Sequence, residues 1–411
     1  MHAQQRSLWS HADFRKLWGS DTISLFGLHA TLLALPVTAV SIGVTPLQLG
    51  LLTTAQTAPA LLFGLFAGVW VDRRRRRPLL IGANIARAAL LGSVPVAAYF
   101  GVLHLAQLYI VAFLSGIAAL VFVVAYQAFL PLIVPRQHLV AGNSALRASE
   151  ATAQFAGPSV GGLLVQLLSA PLALTSGAIA SLGSALTILA IRTPESCPQA
   201  DRAHVGIGSA IGEGVRFVLT DPILRPILLS STLGALFGNI PTGIYILYAI
   251  HDVGIPTATL GLIVGAGGLP ALLTALLTSR MVRRHGIGKT LIAASALKAG
   301  ATLLLPLAGG PLPVAITLLL AWRVLTSLAE ASGGIAGFTV VQSIPPPGLQ
   351  GRVNATVRVC GWGAIAIGGA LGGIAGELFG LRPTLILAAL GTLIAPLWLM
   401  NSRVRQLHDV P

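Results

Sequence analysis

Residues 67–88 read AGVWVDRRRRRPLLIGANIARA: one aspartate, five arginines, a proline, then apolar sequence again. In a water-soluble chain such a run would suggest a nucleic-acid patch or a nuclear address. Here apolar sequence flanks it on both sides, over 46–71 and 78–101. Each flank is long enough to cross the ~30 Å core of a bilayer as a helix, which takes ~20 residues. The run therefore reads as a loop between two membrane spans, and the rest of the chain extends that reading.

The chain has 411 residues, of which 55% are hydrophobic and 9% charged. A soluble domain carries about 25% charged residues, so this one could not cover its surface with polar groups. Twelve apolar spans follow one another at 14–40, 46–71, 78–101, 104–129, 139–168, 171–191, 222–249, 257–279, 288–308, 312–342, 351–378 and 382–401. Helices are required, because lipid offers no partner to open backbone groups. The expected fold is thus an all-α membrane protein. The polar stretch 192–221, with Pro194, Glu195, Pro198, Asp201 and Arg202, is the one linker of note. It divides the chain into a bundle over 1–191, a cytoplasmic linker over 192–221 and a second bundle over 222–411. Span 1 is too long for a cleavable signal and should remain as a helix. Cys197 in the linker and Cys360 in span 11 suggest neither a disulfide nor a metal site. No cofactor is expected.

Where the charges fall decides their meaning. With both termini cytoplasmic, the inner side holds nineteen Lys and Arg: Arg6, Arg15, Lys16, the five of 73–77, Arg136, Arg192, Arg202, Arg216, Arg280, Arg283, Arg284, Lys289, Arg352, Arg403 and Arg405. The outer loops hold only Arg382. This positive-inside bias sets the orientation. The formal charge of +14 is then mostly a topology signal, with anionic membrane lipid as its neighbour and no nucleic-acid partner. Scarce lysine beside abundant Ala, Gly and Arg fits a GC-rich bacterial genome, and hence a bacterial cytoplasmic membrane.

The two halves repeat at a constant shift of 211 residues. Leu49-Gly50 matches Leu260-Gly261, PALL at 59–62 matches PALL at 270–273, and Phe26-Gly27 matches Phe237-Gly238. Arg87 matches Lys298, Asn143 and Arg147 match Asn354 and Arg358, and Gly157, Gly161 and Gly162 match Gly368, Gly372 and Gly373. Six spans separate the copies, so both keep the same orientation. The expectation is two pseudo-symmetric six-helix bundles about an axis along the membrane normal.

These features resemble the major facilitator superfamily over nearly the whole chain, within the branch of the enterobactin exporter and macrolide efflux proteins. The resemblance is carried by DFRKLW at 13–18, the Gly68–Arg77 loop, VPRQHLVAGNSAL at 134–146, GPSVGGLL at 157–164 and GR at 351–352. It implies the major facilitator fold and alternating access. The loop matches the family pattern G-x-x-x-D-R-x-G-R-R at Gly68, Asp72, Arg73, Arg76 and Arg77, with Arg75 where the family has glycine. The resemblance gives Asp72 a gating role at the start of span 11, where a helix dipole favours an anion. The second-half copy, SRMVRRHGIGK at 279–289, carries Arg283 in place of that aspartate. Gly157, Pro158, Gly161 and Gly162 resemble the core of an efflux-antiporter motif on span 5, with Ser144 and Ala153 where the fuller motif has glycines. Gly157 and Gly161 also form a G-x-x-x-G packing face.

Charges inside membrane spans are costly and call for an explanation. Arg87 with Lys298, and Arg147 with Arg358, are kept in both halves and read as architectural. Spans 3 and 9 lie at the periphery in this family. Four charges break the repeat: Asp21 faces Thr232, Glu150 faces Gly361, and Arg323 and Glu330 face Ala112 and Ala119. Spans 1 and 10 line the central cavity in this family, with 5 and 11 beside it. Asp21 and Glu150 are therefore the leading proton-coupling candidates, with Glu330 and Arg323 next; a static ion pair is the rival reading. Arg147 and Glu150, three apart, can pair on one helix. Arg323 and Glu330 lie ~10 Å apart along theirs, too far for a firm pair. Glu377, near Arg382, reads as interfacial. His29, Gln56, Asn239 and Tyr245 are cavity candidates. A mostly apolar pocket of this kind suits an amphipathic organic molecule.

The expected function is export of such a small molecule, a drug, antibiotic or siderophore, in exchange for protons, by a monomer. No GxxxxGK[ST] appears, so ATP is not the direct energy source. Proton-coupled import of a small organic solute by the same fold, and a non-transporting membrane receptor or assembly partner, are the alternatives. An enzyme is not expected, since no nucleophile or metal set accompanies the carboxylates.

Overall fold

A computed structural model describes residues 8–134, 138–193, 195, 207–346 and 349–408. The first half holds α1 (Ala12–Ser41), α2 (Pro46–Asp72), α3 (Arg76–Tyr99), α4 (Leu105–Ile133), α5 (Leu139–Leu167) and α6 (Ala170–Leu189). After α7 (Ile207–Thr220) come α8 (Leu224–Asn239), α9 (Tyr245–Leu247), α10 (Thr257–Gly265), α11 (Gly268–His285), α12 (Ile287–Thr302), α13 (Leu304–Leu307), α14 (Leu312–Ser343), α15 (Gln350–Phe379), α16 (Leu381–Thr392) and α17 (Ile394–Met400). Among the described residues there is no strand, and helix occupies each of the twelve expected spans. Eight helical segments are individually long and apolar enough to cross a membrane, or nine with one bent pair, again among the described residues.

Local chemistry explains the boundaries. The α2 helix starts on a capping box: Gln48 N donates to Thr45 Oγ1 at 3.4 Å and Thr45 N to Gln48 Oε1 at 3.0 Å. Asp221 Oδ1 accepts from the backbone of Ile223 and Leu224, both at 2.8 Å, which ends α7 and starts α8. The chain turns by 106° there. The amphipathic α7 therefore does not continue into the bundle, and it gives the linker a helix where the sequence suggested only a polar connection.

Four second-half spans that read as continuous are interrupted. Span 7 passes from α8 through a 3₁₀ turn at Pro241–Gly243, then α9 and a π-helical turn at Tyr248–Asp252. Spans 8, 9 and 12 break at Ala266–Gly267, Leu303 and Leu393. Those three breaks lie three or four residues before Pro270, Pro306 and Pro396. A proline supplies no N–H to the preceding turn, which frees a carbonyl there. Pro36, Pro59, Pro95, Pro131 and Pro158 are absorbed within the first-half helices.

Within the first half α1 packs on α5 and α6, and α4 on α2 and α3; within the second α12 packs on α14, and α8 on α15. Between the halves α2 meets α15, and α5 meets α10 and α11. Glycine makes the approach possible. A methyl group on Gly50 would lie 2.5 Å from Gly373 Cα, and one on Gly162 would lie 2.8 Å from Gly261 Cα. The repeat maps Gly50 onto Gly261 and Gly162 onto Gly373. The two contacts are thus one contact seen from either half, as a two-fold relation demands. Both lie at the end of the bundle opposite the termini. There Glu377 Oε2 also accepts from Leu47 N at 3.3 Å, across the halves. Arg382 is not its partner and instead donates from Nε to Pro306 O at 3.0 Å. Large apolar side chains such as Leu62, Phe66, Ile110, Ile179, Leu186 and Leu262 stand exposed, as a lipid-facing surface requires.

Candidate functional site

A cavity of about 480 Å³ lies between the two halves. His29 of α1, Gln56 of α2, Asn239 of α8 and Tyr245 of α9 all line it, as the sequence suggested. Arg323 and Glu330 of α14 line it too. Tyr245 and Trp322 form its aromatic wall, with ring centroids 5.7 Å apart. Leu32, Leu33, Pro36 and Val264 supply apolar surface.

Lys298 corrects the expectation for span 9. It is not a peripheral snorkelling residue, because its Nζ pairs with Glu330 Oε1 at 2.9 Å inside the cavity. Gly238 makes room for it: a methyl there would lie 3.1 Å from Lys298 Cε. The repeat mate behaves differently. Arg87 is buried at 3% exposure and donates from Nη1 to Ser24 Oγ at 3.0 Å. Glu330 faces alanine in the repeat, so only the second half places a carboxylate beside this position. An unmatched acid on span 10 beside a cation on the neighbouring span was the signal for the pair.

Arg323 does not reach Glu330. Its Nε donates to Val264 O at 3.1 Å, and the Ser327 hydroxyl donates to Gly267 O. Both acceptors flank the break between α10 and α11. Arg323 of α14 thus satisfies Val264 O, a carbonyl the break leaves open, and Ser327 adds a second bond to Gly267 O, the N-cap carbonyl that starts α11.

Asp21 and Glu150 stand apart from this cavity. They line a smaller chamber of about 120 Å³ in the first half, with Tyr126, Gln127, Asn143 and Arg147. Arg147 Nη1 and Glu150 Oε2 pair at 2.7 Å, as their spacing predicted. Asp21 is 9% exposed, and among the described residues no hydrogen bond or ion pair reaches its carboxylate. The buried Tyr126 hydroxyl likewise has no protein partner among them. The expectation that Asp21 lines the central cavity fails on rotation. Asp21 and His29 are eight residues apart on α1, which at ~100° per residue turns their side chains ~80° away from each other. Gln154, one turn beyond Glu150, does reach the central cavity, and His29 lies within range of the charges of both Glu150 and Arg323. These two residues connect the clusters.

In the arginine run, Arg73, Arg74 and Arg75 are exposed, with the Arg74 guanidinium 5.8 Å from the Trp70 ring centre. Arg76 N and Arg77 N donate to the Glu195 carboxylate at 2.6 and 3.2 Å. A linker acid therefore caps α3, a role the sequence did not reveal. Arg77 also donates to Leu189 O at 2.7 Å. A methyl on Gly68 would meet nothing within 4 Å. The Asp72 side chain lies outside the described residues, as does Cys197. On α5, Gly157 and Gly161 seat the helix against His29 and Ala30 of α1, Gly162 meets α10, and Pro158 lines the central cavity.

Two repeated helical halves around a polar interior cavity define a membrane transporter. The chain belongs to the major facilitator superfamily, whose family model matches residues 17–318 and 227–410. It is 26% identical over 389 residues to the multidrug efflux pump Tap of Mycolicibacterium fortuitum, covering 90% of each chain. It is 25% identical over 380 residues to the enterobactin exporter EntS of Salmonella typhimurium, covering 90% of this chain and 87% of the relative. Among solved structures, the nucleoside transporter NupG matches with a TM-score of 0.74 at 15% identity, over 94% of this chain and 98% of the other. A bacterial homologue of the iron transporter ferroportin matches in its inward-facing state with a TM-score of 0.77 at 17% identity, over 96% and 99% of the two chains. The outward-facing state of such a homologue scores 0.60 at 18% identity, over 94% and 98%.

Proposed function

We propose that this chain exports a small amphipathic organic molecule across a bacterial cytoplasmic membrane by alternating access, in exchange for protons. Both termini are cytoplasmic in this reading, and the halves 1–191 and 222–411 rock within a monomer. The observation that carries it is the central cavity, bounded by both halves and shut at the end opposite the termini by the glycine seam. That arrangement accepts substrate from the cytoplasm, and the efflux relatives favour export over import.

The proton in this proposal is carried by the Asp21–Glu150 chamber. Asp21 is a buried carboxylate without a cation bonded to it, so a proton relieves an unfavourable charge there. Glu150 keeps Arg147 as its counter-ion, and Gln154 and His29 link that change to the substrate cavity. Asp72 acts as the cytoplasmic gate, with Arg73, Arg76 and Arg77 holding the loop at the interface and Gly68 leaving it room. Gly157, Pro158, Gly161 and Gly162 form the thin, bent face on which the halves rock.

Inverted vesicles loaded with an imposed proton gradient test the coupling. Asp21→Asn and Glu150→Gln should abolish gradient-driven dye or drug accumulation while leaving the protein folded. Wild-type gradient-driven export in both variants would sink it.

A further inference from the structure

Sequence order alone makes the substrate path look acidic, with three carboxylates, Asp21, Glu150 and Glu330, against Arg323. The folded arrangement reverses that sign. Asp21 and Glu150 leave the central cavity for their own chamber, and Lys298 enters. The groups that face the cavity are then Lys298, Arg323 and Glu330, a formal charge of +1, together with His29. Glu150 is balanced by Arg147 at 2.7 Å, and Asp21 lies ~12 Å from His29 along α1. A positively charged recess with low-dielectric walls concentrates anions and repels cations.

We propose that the central cavity binds an organic anion: an amphipathic molecule whose negative group sits against Lys298 and Arg323 and whose flat apolar part lies on Trp322 and Tyr245. This assignment rests on the transporter reading only for choosing the cavity as the binding site. The volume of about 480 Å³ suits a drug-sized molecule. Glu330 serves as the resident counter-ion of Lys298 when the cavity is empty, at 2.9 Å. The substrate anion competes with that carboxylate for the same ammonium group. Arg323, held through Nε by Val264 O, presents its terminal nitrogens from a fixed position.

The test uses the purified full chain in nanodiscs of neutral lipid, with equilibrium binding of fluorescein, an anion, and tetramethylrhodamine ethyl ester, a cation of similar ring size. Fluorescein should bind at least about a hundredfold tighter than the cation, since the two differ by two or more unit charges and each is worth about tenfold at ~10 Å and an effective dielectric near 20. Glu330→Gln raises the formal charge to +2 and should tighten fluorescein by about tenfold. Lys298→Gln lowers it to zero and should weaken fluorescein by as much, and Lys298→Arg should restore binding. Weaker cation binding or tighter fluorescein binding in Lys298→Gln, an inverted order between the two glutamine variants, or no fluorescein binding to any of the proteins would overturn the proposal. Binding is read without a gradient, so a protein that failed to export would refute the transport reading and leave this one standing.

Discussion

Replacing Gly50 by alanine puts a methyl group 2.5 Å from Gly373 Cα, 2.7 Å from Gly373 N and 2.8 Å from Gly369 O. All three neighbours are backbone, so no rotamer change relieves the clash. The halves must separate by roughly 1 Å at this point to reach ordinary contact near 3.5 Å. Overpacking of this kind costs about 1–3 kcal/mol. The cost falls on the arrangement in which the seam is closed, which shifts the balance between closed and open by about 5- to 150-fold. A cysteine at Thr54 reports the change, since the native Thr54 hydroxyl donates across the seam to Ala366 O at 3.1 Å. With Cys197 and Cys360 replaced, a membrane-impermeant maleimide added from the face opposite the termini should label that cysteine faster in Gly50→Ala. Gly261→Ala, the repeat mate, would meet Pro158 O at 2.6 Å and should act in the same direction. Gly82→Ala, with nothing within 4 Å, should leave labelling unchanged. Unchanged labelling in both Gly50→Ala and Gly261→Ala, in folded protein, would refute the seam as a closure.

Other substitutions probe the rest of the framework. Glu195→Gln removes the charged cap of α3 from a carboxylate with 6% side-chain exposure, and should cost about 1–2 kcal/mol, read as a lower Tm in detergent. Ser327→Ala removes the second hydrogen bond to Gly267 O and should cost about 0.5–1.5 kcal/mol by the same measurement, whereas Ser327→Thr should retain most of the stability. Thr45→Val breaks the capping box of α2 and should cost about 1 kcal/mol, with the loss visible as faster amide exchange in the first turn.

Span positions were legible because lipid thickness fixes a length and leaves few alternatives. The tenth and eleventh spans, expected at 312–342 and 351–378, are Leu312–Ser343 and Gln350–Phe379. The repeat was legible for the same reason that the seam is symmetric: glycines kept in both copies occupy equivalent contacts. The polar cavity residues His29, Gln56, Asn239 and Tyr245 stood out as polar groups in apolar sequence. What the repeat concealed was divergence between its copies. Arg87 and Lys298 occupy equivalent positions, yet their surroundings differ through Ser24 in one half and Glu330 in the other. A charge's role depends on a partner hundreds of atoms away along the chain. Rotation about a helix axis hid the separation of Asp21 from His29. The α7 helix was hidden because its 14 residues, three of them glycine, are too short for a span and follow directly on the polar stretch.

The clip at the α10–α11 break has a consequence for how the protein is made. The two helices leave the ribosome before α14, so Val264 O arrives in the membrane ahead of the Arg323 side chain that satisfies it. Until α14 follows, that segment carries an open carbonyl at membrane depth, which hydrocarbon penalises. Release of the eighth span into lipid is therefore favoured once the tenth has arrived, and a chain truncated before α14 should insert that span less stably.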